Sequence, residues 1–289
     1  YKHEEVKKEI KVGVFVIQKS LLGSGDAVNQ AKAELEGFDG DVLILCGDIP
    51  LIKPETIEEI LNTHRNTESS CTLLTAILKD PTTYGRIVRN DEGHVVGIFE
   101  ENEASIFEKA VEEINVGAYC YKSKDLFKAL SSVKNKNKKG EYFLTDTVSI
   151  LSKLGKKVET YTTKDTDEII GINSRIELAR AEAIVQKRVL SHLMQEGVTI
   201  IDPNTTYVAS DSKIGIDTII YPNTVIESGV KIGQNCKIGP FARIRSGTSV
   251  GDKAEIGNFV ELNRSKIGYD TKVKLHAYLG DTEVGNFVN

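Results

Sequence analysis

An aliphatic residue returns at every sixth position over one long stretch, and this period constrains the fold more than any other feature of the sequence. The repeated positions are Ile214, Ile220, Ile226, Ile232, Ile238, Ile244, Val250, Ile256 and Leu262. A period of six matches neither an α-helix nor a flat sheet. It is typical of a left-handed parallel β-helix, in which each hexad is one short strand plus a corner and about three hexads close one coil. The sequence therefore predicts a three-sided prism with the aliphatic ladder inside.

Glycines in the same stretch support this interpretation, because they fall at or near the expected corners, where there is least space for a side chain. They are Gly215, Gly233, Gly239, Gly251 and Gly257. After Leu262 the spacing shortens to five before Ile267 and again before Val284. We therefore expect the prism to continue with adjusted corners.

Both ends of the sequence resemble cut ends. The chain begins with Tyr1 rather than a start methionine, and it stops at Asn289 within a coil, without a polar capping repeat. We therefore expect residues to be missing at both ends.

Composition excludes several classes of partner. The net charge is -5, and the sequence has no cluster of basic residues on an apolar scaffold, so a nucleic-acid partner is not expected. The lysine-rich run Lys134 to Lys139 is interpreted as a solvated loop. No apolar segment approaches the roughly 18 residues that a membrane span needs. The cysteines stand singly within apolar strands, so we expect reduced, buried packing residues rather than a zinc site or disulfides. A cytoplasmic protein is expected.

The first half of the sequence alternates strands and helices. A β-branched run from Lys11 to Ile17 predicts a strand, followed by a glycine loop and a helix from Ala27 to Leu35. A second strand, Asp41 to Cys46, precedes a helix that Pro54 opens. This repeated order predicts a parallel sheet. Further predicted strands are Ser70 to Leu78, a hairpin of Tyr84 to Val88 with His94 to Phe99, Ile114 to Tyr119, and Val158 to Thr162.

Asp48 is the strongest candidate for function in this half. It follows a buried strand, at the rim where open α/β sheets bind ligands. Pro50 and Leu51 separate it from Pro54, which favours a metal ligand over a helix cap.

A long helix is predicted between the two halves. Ser174 and Glu177 form a capping box, and Gly197 is the predicted C-terminal stop. At about 1.5 Å per residue such a helix spans on the order of 35 Å. The expected domains are 1–172, a connecting helix at 173–198, and a β-helix at 199–289.

Several short motifs together resemble one bacterial family. They are Leu22-Gly23-Ser24-Gly25, Gly47-Asp48-Ile49-Pro50-Leu51, Tyr84-Gly85-Arg86-Ile87, Glu113-Ile114-Asn115-Val116-Gly117, Gly140-Glu141-Tyr142 and Gly171-Ile172-Asn173 with Arg175. The chain is similar to an internal piece of the bifunctional N-acetylglucosamine-1-phosphate uridylyltransferase / glucosamine-1-phosphate N-acetyltransferases. The resemblance implies an α/β Rossmann-like nucleotidyltransferase domain, lacking its N-terminal part, joined by a long helix to a left-handed parallel β-helix of hexapeptide repeats lacking its C-terminal part.

The resemblance implies a role for particular residues of the first half. Those expected to lie against uracil are Gln18, Gly23 and Ser24. Those expected to bind the N-acetylglucosamine moiety are Gly85, Glu100 and Asn115. Asp48 and Asn173 would hold Mg²⁺, with Asn173 also contacting substrate. The implied reaction joins UTP and N-acetylglucosamine 1-phosphate and supplies UDP-N-acetylglucosamine for cell-wall and lipopolysaccharide synthesis.

The second half is implied to acetylate glucosamine 1-phosphate with acetyl-CoA, in a homotrimer. Substrate-binding positions matched there are Arg245, Tyr278 and Asn289. Two positions depart from the family: Asn263 stands where the family has a lysine, and Leu275 stands where it has its catalytic histidine. His276, displaced by one position, is the candidate general base.

Two alternatives stay open on the sequence alone. Another sugar-1-phosphate nucleotidyltransferase would share the metal site, and a non-catalytic regulatory subunit would be expected to lose Asp48 and Asn173. The family also begins with a glycine-rich basic loop that cradles the triphosphate. Because this sequence starts after that loop, we expect these 289 residues alone to be nearly inactive.

Overall fold

The computed structural model describes residues 3–10, 12–101 and 104–289, and the chain divides into two compact units, Tyr1–Ile172 and Asn173–Asn289. Each unit has its own buried aliphatic core. Within the three described ranges, no helix combines the length and apolarity needed to cross a membrane.

The first unit combines a sheet with short helices. Its strands are β1 Asp41–Leu45, β2 Cys71–Ile77, β3 Arg86–Arg89, β4 Val95–Phe99, β5 Glu113–Lys122 and β6 Val158–Thr163. Its helices are α1 His3–Glu9, α2 Ser24–Gln30, α3 Pro54–Asn66, α4 Ile106–Lys109, α5 Ser123–Leu130 and α6 Asp146–Lys153, with a 3₁₀ turn at Thr166–Ile169.

The sheet is mixed, so the predicted parallel sheet is wrong. Its order is β4-β3-β5-β2-β6, with β1 also pairing with β5. β2 and β6 are parallel, and β1 points the same way, but β5 lies antiparallel between β1 and β2. A tight turn also joins β3 to β4, and a short turn can connect only antiparallel strands.

The strand predicted at Lys11 to Ile17 is also wrong. Lys11 lies outside the described residues, and residues 12–17 form no strand. Val12 and Val14 are 82% and 75% exposed. Among the described strands none pairs with this run, and β-branched residues favour a strand only where a ladder and a packing surface exist.

Helix α7, Arg175–Gln195, opens the second unit with the predicted capping box. The Ser174 Oγ accepts from the Glu177 N–H at 3.4 Å, and the Glu177 Oε2 accepts from the Ser174 N–H at 2.6 Å. Gly197, with φ +91°, follows the helix, and the Val198 N–H donates to the Leu193 carbonyl at 3.0 Å. This left-handed glycine ends the helix as predicted.

The rest of the second unit is a three-sided parallel β-helix. Its strands are β7 Thr199–Ile200, β8 Tyr207–Val208, β9 Lys213–Ile214, β10 Ile219–Ile220, β11 Val225–Ile226, β12 Lys231–Ile232, β13 Lys237–Ile238, β14 Arg243–Ile244, β15 Ser249–Val250, β16 Glu255–Asn258, β17 Glu261–Asn263, β18 Lys266–Ile267, β19 Lys272–Leu275, β20 Tyr278–Gly280 and β21 Glu283–Val284. The three sheets run β19-β16-β13-β10-β7, β20-β17-β14-β11-β8 and β21-β18-β15-β12-β9.

The aliphatic ladder predicted from the sequence stacks inside this β-helix. Ile220, Ile238 and Ile256 pair in register on consecutive coils and are at most 1% exposed. Beyond Leu262 the coils continue with one residue fewer, because Ile256 pairs with Val273. The predicted shortening of the hexad therefore leaves the stack intact.

Glycines near the corners allow the coils to approach each other closely. A Cβ on Gly215 would lie 2.6 Å from the Gln234 nitrogen, and one on Gly257 would overlap the Lys274 carbonyl oxygen. Neighbouring strands are about 4.8 Å apart, so backbone leaves no room for a side chain at these points.

The cysteines are free thiols, as expected. Cys71, Cys120 and Cys236 are buried, but Cys46 is only half-buried, which corrects the expectation that all four pack in cores. Cys46 lies just after β1, beside the rim of the sheet.

Replacing Gly257 by alanine should destabilise the β-helix by about 1–3 kcal/mol, because the new methyl group is forced into backbone of the next coil. Gly47→Ala is the matched control, since a Cβ there has nothing within 4 Å and no positive φ opposes a side chain. Calorimetric unfolding of both variants checks the prediction. Equal stability of the two would contradict the close stacking of coils.

Candidate functional site

Strand β5 changes its neighbour along one edge, and the candidate site of the first unit lies at that change. One edge of β5 pairs with β2. On the other edge, Ala118 to Lys122 pair with β1, whereas Ile114 pairs with Arg86 of β3. The residues between, 115–117, therefore face the gap between the end of β1 and the start of β3.

A bulge shapes β5 at this gap. Leu73 pairs with Tyr119 and Thr75 with Asn115, so β5 has extra residues against β2. Gly117 lies in the bulge with φ +95°, and a Cβ there would be 3.2 Å from the Cys46 sulfur. Bulges of this kind re-aim side chains and are common beside active sites.

The structure brings Gly85 and Asn115 together, two of the residues expected to bind the sugar. The Asn115 N–H donates to the Gly85 carbonyl at 2.8 Å. The Asn115 side chain donates to the Tyr119 hydroxyl at 2.8 Å and accepts from the Gly117 N–H at 3.3 Å. A Cβ on Gly85 would lie 3.0 Å from the Ile98 side chain, so glycine keeps this wall thin.

Asp48 lies in the turn after β1 and is exposed. Its carbonyl accepts from the Ile172 N–H at 2.8 Å, which ties the end of the first unit to this turn. Asn173 is the first residue of the second unit, and its N–H donates to the Glu177 Oε2 at 2.7 Å. Burial raises the pKa of the Cys46 thiol, and the negative charge of Asp48 adds to the effect.

A cavity of about 540 Å³ lies beside the glycine loop and the end of β4, and Asp48, Gly85 and Asn115 are not among its described lining residues. Its lining residues are Ser24, Thr83, Glu100, Glu101, Lys138, Lys139, Glu141 and Phe143. Ser24 and Glu100 were expected to bind different parts of one nucleotide sugar, and they line the same space. The Glu100 Oε1 accepts from the Thr145 hydroxyl at 3.1 Å, which leaves the other carboxylate oxygen available to a ligand.

The loop expected to contact uracil is held against residues 142–144. Gly23 has φ +104°, and a Cβ there would lie 2.6 Å from the Tyr142 carbonyl oxygen. The Ser24 Oγ accepts from the Leu144 N–H at 3.0 Å. The Gln18 amide donates to the Gly23 carbonyl at 3.0 Å and to the Asp26 carboxylate at 2.7 Å. Gln18 therefore braces this loop from the other side.

Sequence reasoning missed Lys138 and Lys139, which belong to the run interpreted as a solvated loop. Both are exposed, as expected, yet both line the cavity. Asn137 fixes them, because its Oδ1 accepts from the Lys139 N–H at 3.2 Å and from the Glu141 N–H at 3.1 Å. An asparagine three residues before a glycine was the available signal for such an ordered turn.

Arg86 secures the wall behind Glu100. It is 2% exposed, and its Nη2 donates to the Glu101 carboxylate at 2.6 Å, which Lys109 also approaches at 3.4 Å. Desolvation raises the pKa of Glu101, but hydrogen bonds from Lys109 and Arg86 outweigh it, so the pKa is lowered overall. Glu101 therefore stays ionised as a structural partner, whereas Glu100 and Glu141 line the cavity without a cationic partner among the described ion pairs.

A second cluster of candidate residues lies on the β-helix. Arg245 donates to Glu261 at 3.1 Å, and Glu261 pairs in register with Tyr278 on the next coil. The Asn263 amide donates to the Tyr278 hydroxyl at 3.4 Å. Arg245, Asn263 and Tyr278 are therefore brought to one side of the β-helix.

Three residues near this cluster in the sequence, Arg264, Leu275 and His276, make other contacts or are exposed. Arg264 makes a bidentate ion pair with Asp281, at 2.6 and 2.7 Å, so its charge is already matched. His276 sits at a corner with φ +46°, and its ring stacks on Phe259 with centroids 4.9 Å apart. Leu275 is 60% exposed.

Comparison with known proteins agrees with this two-part architecture. The sequence profile described as "Nucleotidyl transferase" matches residues 1–173. The chain belongs to the nucleotidyl transferase family. The profile described as "Bacterial transferase hexapeptide (six repeats)" matches residues 211–246 and 229–264. The predicted fold class is therefore confirmed: a Rossmann-like α/β sheet unit and a left-handed β-helix of hexapeptide repeats.

Bacterial relatives of this chain carry the name "Bifunctional protein GlmU". The protein of Acetivibrio thermocellus is 46% identical over 226 residues, which are 78% of this chain and 49% of the relative. That of Shouchella clausii is 45% identical over 222 residues, 76% and 49% of the two chains. The protein of Halalkalibacterium halodurans is 46% identical over 211 residues, which are 73% of this chain and 46% of the relative. The chain spans about half the length of the curated relatives it matches.

The resemblance to a bifunctional bacterial family is thereby confirmed. The roles of individual residues in this chain stay predictions, as do the domain bounds.

Proposed function

We propose that the protein transfers UMP from UTP to N-acetylglucosamine 1-phosphate, giving UDP-N-acetylglucosamine and pyrophosphate, in the cytoplasm. The observation that carries the proposal is the gap beside β5, where Gly85 and Asn115 are joined at 2.8 Å next to the strand end that bears Asp48. Membership of the nucleotidyl transferase family and the bifunctional relatives support it.

The sugar is bound by groups of complementary hydrogen-bonding character. Glu100 accepts from hydroxyl or amide N–H groups, and Asn115 has one amide N–H left for an acceptor on the sugar. Thr145 keeps the Glu100 carboxylate in place. Lys138 and Lys139 line the same cavity as the carboxylates of Glu100, Glu101 and Glu141, so the cavity presents groups of both charge signs to a substrate.

The proposed metal ligands, Asp48 and Asn173, carry side-chain oxygen atoms. Mg²⁺ prefers oxygen ligands and is usually bound by one or two carboxylates together with substrate phosphates and water. In the part of the chain that the structure describes, no three His, Cys, Asp or Glu residues group as a metal cage. Asp48 and Asn173 would hold this ion, and when bound it neutralises charge on the phosphates.

The transfer is an in-line displacement. An oxygen of the sugar phosphate forms a bond to the α-phosphorus of UTP, while the bond from that phosphorus to the bridging oxygen breaks and pyrophosphate leaves. No protein nucleophile is needed, so the residues act by positioning the two substrates. Gly23 and Ser24 hold the base of the nucleotide, and Glu100 with Asn115 holds the sugar.

Asp48→Ala in the full-length natural protein should abolish uridylyl transfer, because it removes the charged ligand of the metal ion. Loss of the metal ion typically removes several kcal/mol of transition-state stabilisation. Asp91→Ala, in the exposed hairpin turn, is the matched control. Pyrophosphate release at varied Mg²⁺ measures the effect. Activity that survives in Asp48→Ala with magnesium would refute the metal assignment.

A second activity is supported by the cluster on the β-helix. We propose that this unit acetylates glucosamine 1-phosphate with acetyl-CoA, in a homotrimer, with Arg245 and Tyr278 binding the sugar phosphate and Asn289 as a further site residue. The amine attacks the thioester carbonyl carbon, coenzyme A thiolate leaves, and a base removes the amine proton. His276 is the candidate base.

His276→Ala should lower acetyl transfer by about 10²–10⁴-fold if its imidazole removes the amine proton, and uridylyl transfer should be unchanged. Thiol release from acetyl-CoA by the full-length natural protein measures this. A variant that exchanges Leu275 and His276 is assayed alongside. Full activity of His276→Ala would exclude His276 as the base, and activity only in the exchanged variant would place the base at position 275.

A further inference from the structure

We propose that Tyr119 is a positioning residue that fixes the side-chain amide of Asn115, so that one amide N–H is presented to a hydrogen-bond acceptor on the sugar. The inference rests on the proposed function of the gap beside β5. Tyr119 was not singled out by any sequence motif, and it reads as an ordinary core aromatic. Its hydroxyl, however, ends at a residue of the candidate site.

The orientation of the Asn115 side-chain amide follows from its hydrogen bond with the Gly117 backbone N–H. The Gly117 N–H can only donate, and it lies 3.3 Å from the Asn115 Oδ1. The Nδ2 must therefore point the other way, where the Tyr119 hydroxyl accepts from it at 2.8 Å. The backbone of Asn115 is held as well, through its hydrogen bond to Gly85. One N–H and one lone pair of the amide remain for a ligand.

Tyr119 is suited to this task because it is immobile and neutral. The residue is 3% exposed and belongs to the core with Leu73 and Leu126. Burial raises the pKa of the Tyr119 phenol far above its ordinary value, although the hydrogen bond with Asn115 acts in the opposite direction. The phenol therefore keeps its proton and accepts the Asn115 N–H through an oxygen lone pair over the whole working range of pH.

Tyr119 acts on the proposed sugar site through Asn115, because its hydroxyl accepts the hydrogen bond of the Asn115 side-chain amide at 2.8 Å. Loss of the hydroxyl should loosen the Asn115 amide without removing any group that touches substrate.

Tyr121 provides a matched control on the same strand. It is fully buried, its ring centroid lies 6.1 Å from that of Tyr119, and its hydroxyl shares a 2.8 Å hydrogen bond with the Thr147 hydroxyl. Removing either hydroxyl deletes a hydrogen bond from the same core, a part-buried one at Tyr119 and a buried one at Tyr121. Only the loss at Tyr119 affects a residue of the candidate site.

The test compares Tyr119→Phe with Tyr121→Phe in the full-length natural protein. Tyr119→Phe should raise the KM for N-acetylglucosamine 1-phosphate by about threefold to tenfold, the effect of one lost hydrogen bond, and leave kcat and the KM for UTP within about twofold. Tyr121→Phe should leave all three constants unchanged. In an Asn115→Ala background, Tyr119→Phe should have no further effect on the sugar KM.

A second measurement does not depend on activity. The two side-chain N–H signals of Asn115 in a ¹⁵N-resolved NMR spectrum should be shifted by Tyr119→Phe and not by Tyr121→Phe. Unshifted Asn115 signals, or an equal rise in sugar KM in the two variants, would overturn the positioning role. Shifted signals in a protein that lacks uridylyl transfer would instead uphold the contact and refute the proposed function.

Discussion

The hydrogen bonding of β5 is the constraint on which the first unit depends. Ten residues, Glu113–Lys122, pair with β2 along one edge and are shared between β1 and β3 along the other. Because two strands meet β5 end to end, a gap opens where the neighbour changes. The bulge at Gly117 lies beside that gap, where the Asn115 N–H donates to the Gly85 carbonyl and where Cys46 and Ile49, which follow β1, approach Gly117. The site is thus a product of strand pairing rather than of any single loop.

The second unit obeys a different constraint, the in-register stacking of similar coils. Each coil places aliphatic residues inside and leaves its corners to residues that accept left-handed backbone, including Phe241, Phe259 and His276. These three rings stack on one another up the corner, with centroids 5.0 and 4.9 Å apart. The same regularity that makes the scaffold rigid also fixes which side chains share a face, which is how Arg245 and Tyr278 come to one side.

Structural features that depend on nearby residues could be predicted from the sequence. Features that depend on pairing between strands distant in the sequence could not. A period of six has one structural solution, so the β-helix and its shortened coils were predictable, as were the ends of α7 from Ser174 and Gly197. Strand direction was not, because nothing within β5 records that it lies antiparallel between β1 and β2. The run at 12–17 has strand propensity but no ladder to join.

In the candidate site, too, some residues could be predicted from the sequence and others could not. Gly85, Asn115 and Asp48 were recognisable through motifs, which report the backbone and ligand types that a site needs. Lys139 was misjudged because a lysine-rich loop is usually solvated, and only the turn around Asn137 directs it to the cavity. The positioning residues were hidden for a further reason: an aromatic side chain in a buried strand has the same sequence pattern whether or not its hydroxyl orients a neighbour.

Hydrogen–deuterium exchange with UDP-N-acetylglucosamine and Mg²⁺ tests the central claim most directly, that the gap beside β5 is the nucleotide-sugar site. In the full-length natural protein, the product should slow exchange in peptides covering 22–25, 84–86 and 113–119. Exchange in the stacked coils 219–256 should be unchanged. Protection confined to the β-helix, or equal in wild type and Asn115→Ala, would contradict the account.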